Sequence, residues 1–310
     1  MTSDVSQHAT LPDLSGITLE RTYKFSDEEL EKMHAWGHQL WRLLRANLVF
    51  EPPRLLRNGD ETEFIAERFT NYALARLTAR GMLTEKGTDG LSDDAKQEAY
   101  SDAVEEILDV DNATRDRAVW LLRRICARHR RKGGELTRSQ IRTVSNFASS
   151  ERHRCYICGC ELSFDDLLHP TAPSESGEVD WRTFEIDHLI PQSKGGGRDP
   201  ANLAACCQLC NKFKDDFLSF VDLPLETYIT SSVKEANVRA MLGTRGRFAL
   251  LWRQKGRCAL CEEPFHNASN EKLVLQRKVG SDTYHFLNSQ IICGIDQFMK
   301  DWAKTGQNIL

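Results

Sequence analysis

The first helical signal along the chain is SDEELEKMHAWGHQLWRLL, residues 26–44, where apolar residues recur at helical intervals through Met33, Trp36, Leu40 and Leu44. Ser26 and Glu29 stand in capping-box spacing at its start, so the pattern predicts one helix opening there. Similar periodicity fills GDETEFIAERFTNYALARLTARG and LSDDAKQEAYSDAVEEILDV, each bounded by Gly or an Asp/Ser start. A fourth helix, ATRDRAVWLLRRICARHRRK, puts Ala118, Leu122, Ile125 and Cys126 on one side and Arg117, Arg124, Arg128 and Arg131 on the other. That rhythm then stops. From residue 155 to about 220, short β-like runs with Gly and Pro punctuation replace it, and the polar stretch LLHPTAPSESGEVD reads as a surface insertion. Helical patterns return in LETYITSSVKEANVRAMLG and RFALLWRQKG. The first two dozen residues have no periodicity and read as a loose arm.

Composition adds little to this picture until charge is divided along the chain. The net charge of −4 on 310 residues separates into −10 over 1–114, +9 over 115–154 and −3 over the remainder. A basic block, with its helix at 115–132, therefore sits just upstream of the first CxxC, where a polyanion contact is expected from Arg117, Arg124, Arg128 and Arg131. The start, MTSDVSQHAT, lacks the pattern of a signal peptide and no apolar run reaches membrane-span length, so a cytoplasmic protein with no membrane contact is expected.

Ten cysteines in a reducing compartment are read first as metal ligands. Cys155, Cys158, Cys207 and Cys210 form two CxxC pairs, and a two-residue spacer lets one tight turn aim both sulfurs at one ion. They are expected to hold a structural zinc; Cys126, Cys160 and Cys206 fit the spacing less well and read as packing residues. Between and after the pairs, residues 185–214 read EIDHLIPQSKGGGRDPANLAACCQLCNKFK. Adjacent strand residues face opposite ways, so Asp187 and His188 share a site only if the strand ends there, and Pro191 with Gly195 to Gly197 supplies that ending. Those glycines also permit close backbone approach to a phosphate.

This stretch resembles the HNH endonucleases, or ββα-metal nucleases, in the subgroup framed by two CxxC pairs. The resemblance covers about sixty residues, Cys155 to Lys214, and implies a zinc-stabilised ββα core. It implies that Asp187 is a metal-binding acid, His188 the general base, Asn202 the brace of the loop, and Asn211 a second ligand of a catalytic Mg²⁺ or Mn²⁺. The chemistry asks independently for such a set: an imidazole with an ordinary pKa of about 6.5 accepts a proton from water, while a hard cation with oxygen ligands stabilises charge on the phosphate. Lys194, Arg198, Lys212 and Lys214 have the placement of phosphate contacts, and Glu185 that of a supporting carboxylate.

The C-terminal region echoes the module. NLAACCQLCNKFKDD is matched by NSQIICGIDQFMKD, which sets Asn288 against Asn202, Cys293 against Cys207 and Asp296 against Cys210. Cys258, Cys261 and Cys293 are expected to hold a second zinc, with Asp296 or His285 as fourth ligand, whereas the Asp-His pair has no counterpart in EKLVLQRKVG. The fold expected is α+β: an arm at 1–24, a mostly helical domain at 25–150, the nuclease core at 151–222, and at 223–310 a helical segment with a degenerate HNH-like, treble-clef repeat. The expected function is metal-dependent hydrolysis of DNA in prokaryotic defence, restriction or mobile-element biology, with a regulatory protein partner. A non-catalytic zinc module binding nucleic acid or protein, or a nuclease acting on RNA, are the alternatives.

Overall fold

A computed structural model describes residues 25–47, 59–130, 136–150, 153–164, 182–232, 234–265 and 273–294. The N-terminal part is a bundle of α1 (Asp27–Lys32), α2 (Trp36–Asn47), α3 (Gly59–Gly87), α4 (Asp93–Glu105) and α5 (Asn112–Arg130). The capping box at Ser26 forms in both directions, Glu29 N to Ser26 Oγ at 3.2 Å and Ser26 N to Glu29 Oε2 at 2.7 Å. The single helix expected over 26–44 is nevertheless two. His34 takes a left-handed turn with φ 56°, and its carbonyl accepts from Arg128 Nη2 at 2.6 Å, so the chain is turned where α5 holds it. The opposite departure occurs in α3, which runs through Gly81 to Gly87 where the sequence suggested an end. A Cβ at Gly81 would lie 2.8 Å from Leu122, so this glycine admits α5 rather than stopping α3.

The bundle core contains Leu40, Trp41, Leu74, Leu77, Leu121 and Leu122, and it also takes in Ile190 and Leu218 from the segment that follows. After α6 (Arg138–Ser150) the chain forms an antiparallel hairpin, β1 (Phe184–His188) with β2 (Leu203–Cys207), closed by α7 (Gln208–Lys214). Register places Asp187 opposite Ala204 and His188 opposite Leu203. Residues 225–232, expected helical, instead make a short 3₁₀ turn at Leu225–Tyr228 and a bridge from Thr230 to Tyr284, because the Tyr284 backbone competes for the Thr230 N–H and C=O. Helix α8 (Glu235–Arg253) leads into a second hairpin, β3 (Val274–Arg277) with β4 (Ser289–Ile292). One buried cluster joins Leu203, Phe220, Tyr228, Trp252, Leu275 and Ile291, so both hairpins share a core across position 222. Among the described residues no helix is long and apolar enough to cross a membrane.

Candidate active site

The two strands and α7 bring the predicted residues to one cleft of 1040 Å³, whose walls include Glu185, Asp187, His188, Asn211, Lys212 and Arg245. Glu185 and Asp187 lie two apart on β1 and so share a face. Asn211, one turn into α7, donates Nδ2 to Glu185 Oε2 at 2.7 Å, which leaves its amide oxygen for another partner. The oxygen donors of Glu185, Asp187 and Asn211 are the hard set that Mg²⁺ or Mn²⁺ takes, and the cleft gives the ion room.

Asp187 is 4% exposed and is held from two sides. Tyr156, next to Cys155, donates its hydroxyl to Oδ2, and Lys214 Nζ lies 3.1 Å from Oδ1 and 3.0 Å from Oδ2. Burial, followed by the Asp187 charge, raises the Tyr156 phenol well above its ordinary value, so it remains a donor. Lys214 also donates to His188 O at 2.9 Å. This lysine, read from the sequence as a phosphate contact, is therefore a buried counter-ion that ties Asp187 to the strand end carrying His188.

His188 is half-buried and its pKa is lowered, chiefly by burial, opposed by Asp187 and assisted by Lys214 and Arg198. Its Nε2 lies 3.0 Å from the amide nitrogen of Gln192. An amide N–H only donates, so this pairing leaves the lone pair on Nε2; turning the amide over would move it to Nδ1. In the first case the amide N–H itself occupies that lone pair, so only the turned amide, accepting from Nε2–H, leaves a ring nitrogen, Nδ1, free to take a proton from water.

Asn202 is fully buried and all its polar atoms are used. Its Oδ1 accepts from Ile190 N at 2.7 Å and from His38 Nε2 at 3.1 Å, and its Nδ2 donates to Ile190 O at 2.9 Å and Gly197 O at 2.7 Å. The loop 189–197 is thereby closed on itself. A Cβ at Gly196 would come within 1.6 Å of Ile190 O, and Gly195 takes φ 94°, so the glycines serve this closure rather than an open flexible loop.

The sulfurs of Cys155, Cys158, Cys160 and Cys207 lie within 4.8 Å of one another, with Cys158 and Cys207 at 3.9 Å. Cys210, expected as the fourth ligand, is not in this cluster; fully buried in the first turn of α7, it donates its N–H to Cys207 Sγ at 3.5 Å. Thiols in this arrangement fit zinc, and Cys160, read from the sequence as packing, stands among them.

The second hairpin repeats the scaffold. Asn288 Oδ1 accepts from Val279 N at 2.9 Å, and Nδ2 donates to Val279 O at 3.2 Å and Thr283 O at 2.7 Å, the pattern of Asn202. With that alignment the register of β3 with β4 sets Gln276 and Arg277 where Asp187 and His188 stand. Cys258, Cys261 and Cys293 converge within 4.8 Å. Their proposed fourth ligand Asp296 lies outside the described residues; His285 is absent from the cluster and sits 3.3 Å from Asp282.

The basic residues divide. Lys212 lies on the cleft wall, Lys194 pairs with Asp216 at 3.4 Å, and Arg198 lines a separate hollow behind the glycine loop. Arg117 and Arg124 lie 4.2 and 4.0 Å over the Trp120 ring, and Arg128 lies 4.0 Å over Trp36, so these three pack against the bundle's own tryptophans. Arg131 is outside the described residues. Tyr156, Gln192, His38 and Arg245 carried no readable signal, since nothing in the spacing places them at the site.

Residues 177–221 match the family model described as HNH endonuclease. No curated protein and no solved structure matches the chain.

Proposed function

We propose that this protein is a metal-dependent endonuclease that hydrolyses DNA phosphodiester bonds in the cleft between β1 and α7. The observation that carries the reading is the convergence of Glu185, Asp187, His188 and Asn211 on one cleft, within the segment that matches the HNH family. His188 takes the proton of the attacking water; burial keeps its imidazole neutral and Gln192 orients the ring. Asp187 and Asn211, with Glu185 beside them, hold a Mg²⁺ or Mn²⁺, which when bound supplies charge stabilisation at the phosphate and the departing oxygen. Asn202 keeps the loop after His188 closed, so the base has one position. Zinc at the cluster of Cys155, Cys158, Cys160 and Cys207, with Cys210 beside it in α7, would pin the hairpin to the start of α7. The family resemblance supports a cytoplasmic role in restriction, defence or mobile-element biology, with a protein partner controlling access.

Supercoiled plasmid with Mg²⁺ or Mn²⁺ tests this. Wild-type protein nicks or linearises it, and His188→Ala lowers the rate by about 10² to 10⁴, the usual contribution of a general base. Equal cleavage by both proteins refutes the assignment, and DNA binding without cleavage under any metal favours a zinc-dependent binding module.

A further inference from the structure

The floor of the cleft is crowded with carboxylates: Glu185, Asp187, Asp215 and Asp216 all line it. A polyanion enters such a site only if cations stand on its walls. Lys194 does not serve, because Asp216 holds it. Lys212 and Arg245 line the same cleft, and neither has a hydrogen bond or ion pair among the described residues.

Arg245 lies outside the segment that matches the nuclease family and belongs to α8, the helix joining the two hairpin modules. Its position is built. At Gly243 the helix breaks, with φ 64° and ψ −177°, and restarts so that Arg245 falls in the first turn of the second half. Three residues on, Phe248 stacks on Phe213 of α7 with centroids 5.0 Å apart and planes at 27°, which docks this turn against the nuclease helix. The Arg245 guanidinium rests 5.6 Å from the Phe217 ring centroid. The far end of α8 is tied to the second module: Arg253 donates to Phe286 O and Ser289 O, and Gln254 exchanges bonds of 2.8 and 2.7 Å with Ile291. The second hairpin module, with Gln276 and Arg277 at the register positions of Asp187 and His188, therefore anchors the helix that brings Arg245 to the cleft.

We infer that Arg245 is a DNA-backbone contact, supplied from outside the nuclease motif, that grips a phosphate next to the scissile one in the cleft it shares with Lys212. The inference rests on the nuclease reading for the identity of the polyanion. A guanidinium with no carboxylate partner among the described residues, beside an aromatic ring and lining a cleft with four carboxylates, is a phosphate site whose partner arrives with the substrate.

Binding of a labelled DNA duplex by full-length His188→Ala protein, followed by fluorescence anisotropy over a salt series with Mg²⁺ present, provides the test. Adding Arg245→Gln, which keeps much of the stem over Phe217, should weaken binding about 3- to 10-fold at low salt, the range of one lost hydrogen-bonded contact. It should also flatten the slope of log Kd against log salt by about 0.9, the value for one phosphate contact. Arg245→Lys should recover the slope and only part of the affinity. Unchanged affinity and slope in Arg245→Gln, at unchanged melting temperature, overturn the proposal, as does absence of duplex binding by the His188→Ala protein. Wild-type plasmid cleavage, run in parallel, separates the two readings. Arg245-dependent binding without cleavage keeps the clamp and removes the nuclease, whereas cleavage with Arg245-indifferent binding removes the clamp alone.

Discussion

Glu67 is a carboxylic acid 1% exposed to water in the middle of α3, and Oε2 has no hydrogen-bond partner. Burial first, then the neighbouring Asp222, pushes its pKa from 4.5 to about 8. The unfolded chain therefore ionises at lower pH than the folded one, so this residue costs stability progressively as pH rises from about 4.5 to 8. At 1.36 kcal/mol per unit the full effect is on the order of 5 kcal/mol. Glu67→Gln should melt several degrees above wild type at pH 8, with the gap closing toward pH 5; a constant gap in calorimetry would assign the gain to packing instead. Glu67 and the Asp187, Tyr156 and Lys214 group show where residue-level reading stops. Asp187 was legible because a motif surrounds it. Its two partners were not, because Tyr156 lies 31 positions from Asp187 and nothing local says that the chain returns there.

At the scale of elements, two hairpins with one loop brace each were built from different residues. Asn202 and Asn288 close their loops with the same bonds, and Leu189 N to Asn202 O at 2.9 Å is repeated by Lys278 N to Asn288 O at 2.7 Å. Both CxxC turns also aim an N–H at sulfur: Ile157 N lies 3.4 Å from Cys155 Sγ and Leu260 N lies 3.4 Å from Cys258 Sγ. Such a turn is stabilised when the sulfur is a metal-bound thiolate. Purified protein should thus contain two zinc ions per chain, and Cys258→Ser should contain one and melt at lower temperature. One zinc in wild type, unchanged by Cys258→Ser, would leave the second turn metal-free. The likeness of the two loop braces was visible in the spacing of Asn288 and Cys293. The helix expected at 225–232 was not borne out, because Thr230 pairs with Tyr284 at long range where local periodicity favoured a helix.

At the scale of the whole molecule, the helical bundle takes part in the nuclease loop rather than standing beside it. His38 of α2, 1% exposed, supplies the second donor to Asn202 Oδ1, and a Cβ at the preceding Gly37 would lie 2.7 Å from Gly195 O. Removing this donor leaves a buried acceptor short of a partner, a loss of about 1 to 3 kcal/mol localised on the loop after His188. In the plasmid assay His38→Ala should lower kcat roughly tenfold while DNA affinity holds, and His38→Gln, whose amide reaches similarly, should recover most of it. A fall in melting temperature with kcat unchanged would make His38 a packing residue only. The sequence by itself determined the helices with strong periodicity and the CxxC turns of both cysteine clusters, and it singled out Asp187, His188, Asn202 and Asn211 as candidates, because each is written within a few dozen residues by spacing and residue type; that Cys160 joins the first cluster was not written there. Tertiary structure alone decided that Lys214 is buried against Asp187, that the α5 arginines stack on Trp36 and Trp120, and that His38 and Arg245 reach the site from other elements. Those contacts join residues far apart in the chain, and their energy comes from desolvation and close approach, quantities that exist only once the surfaces have met.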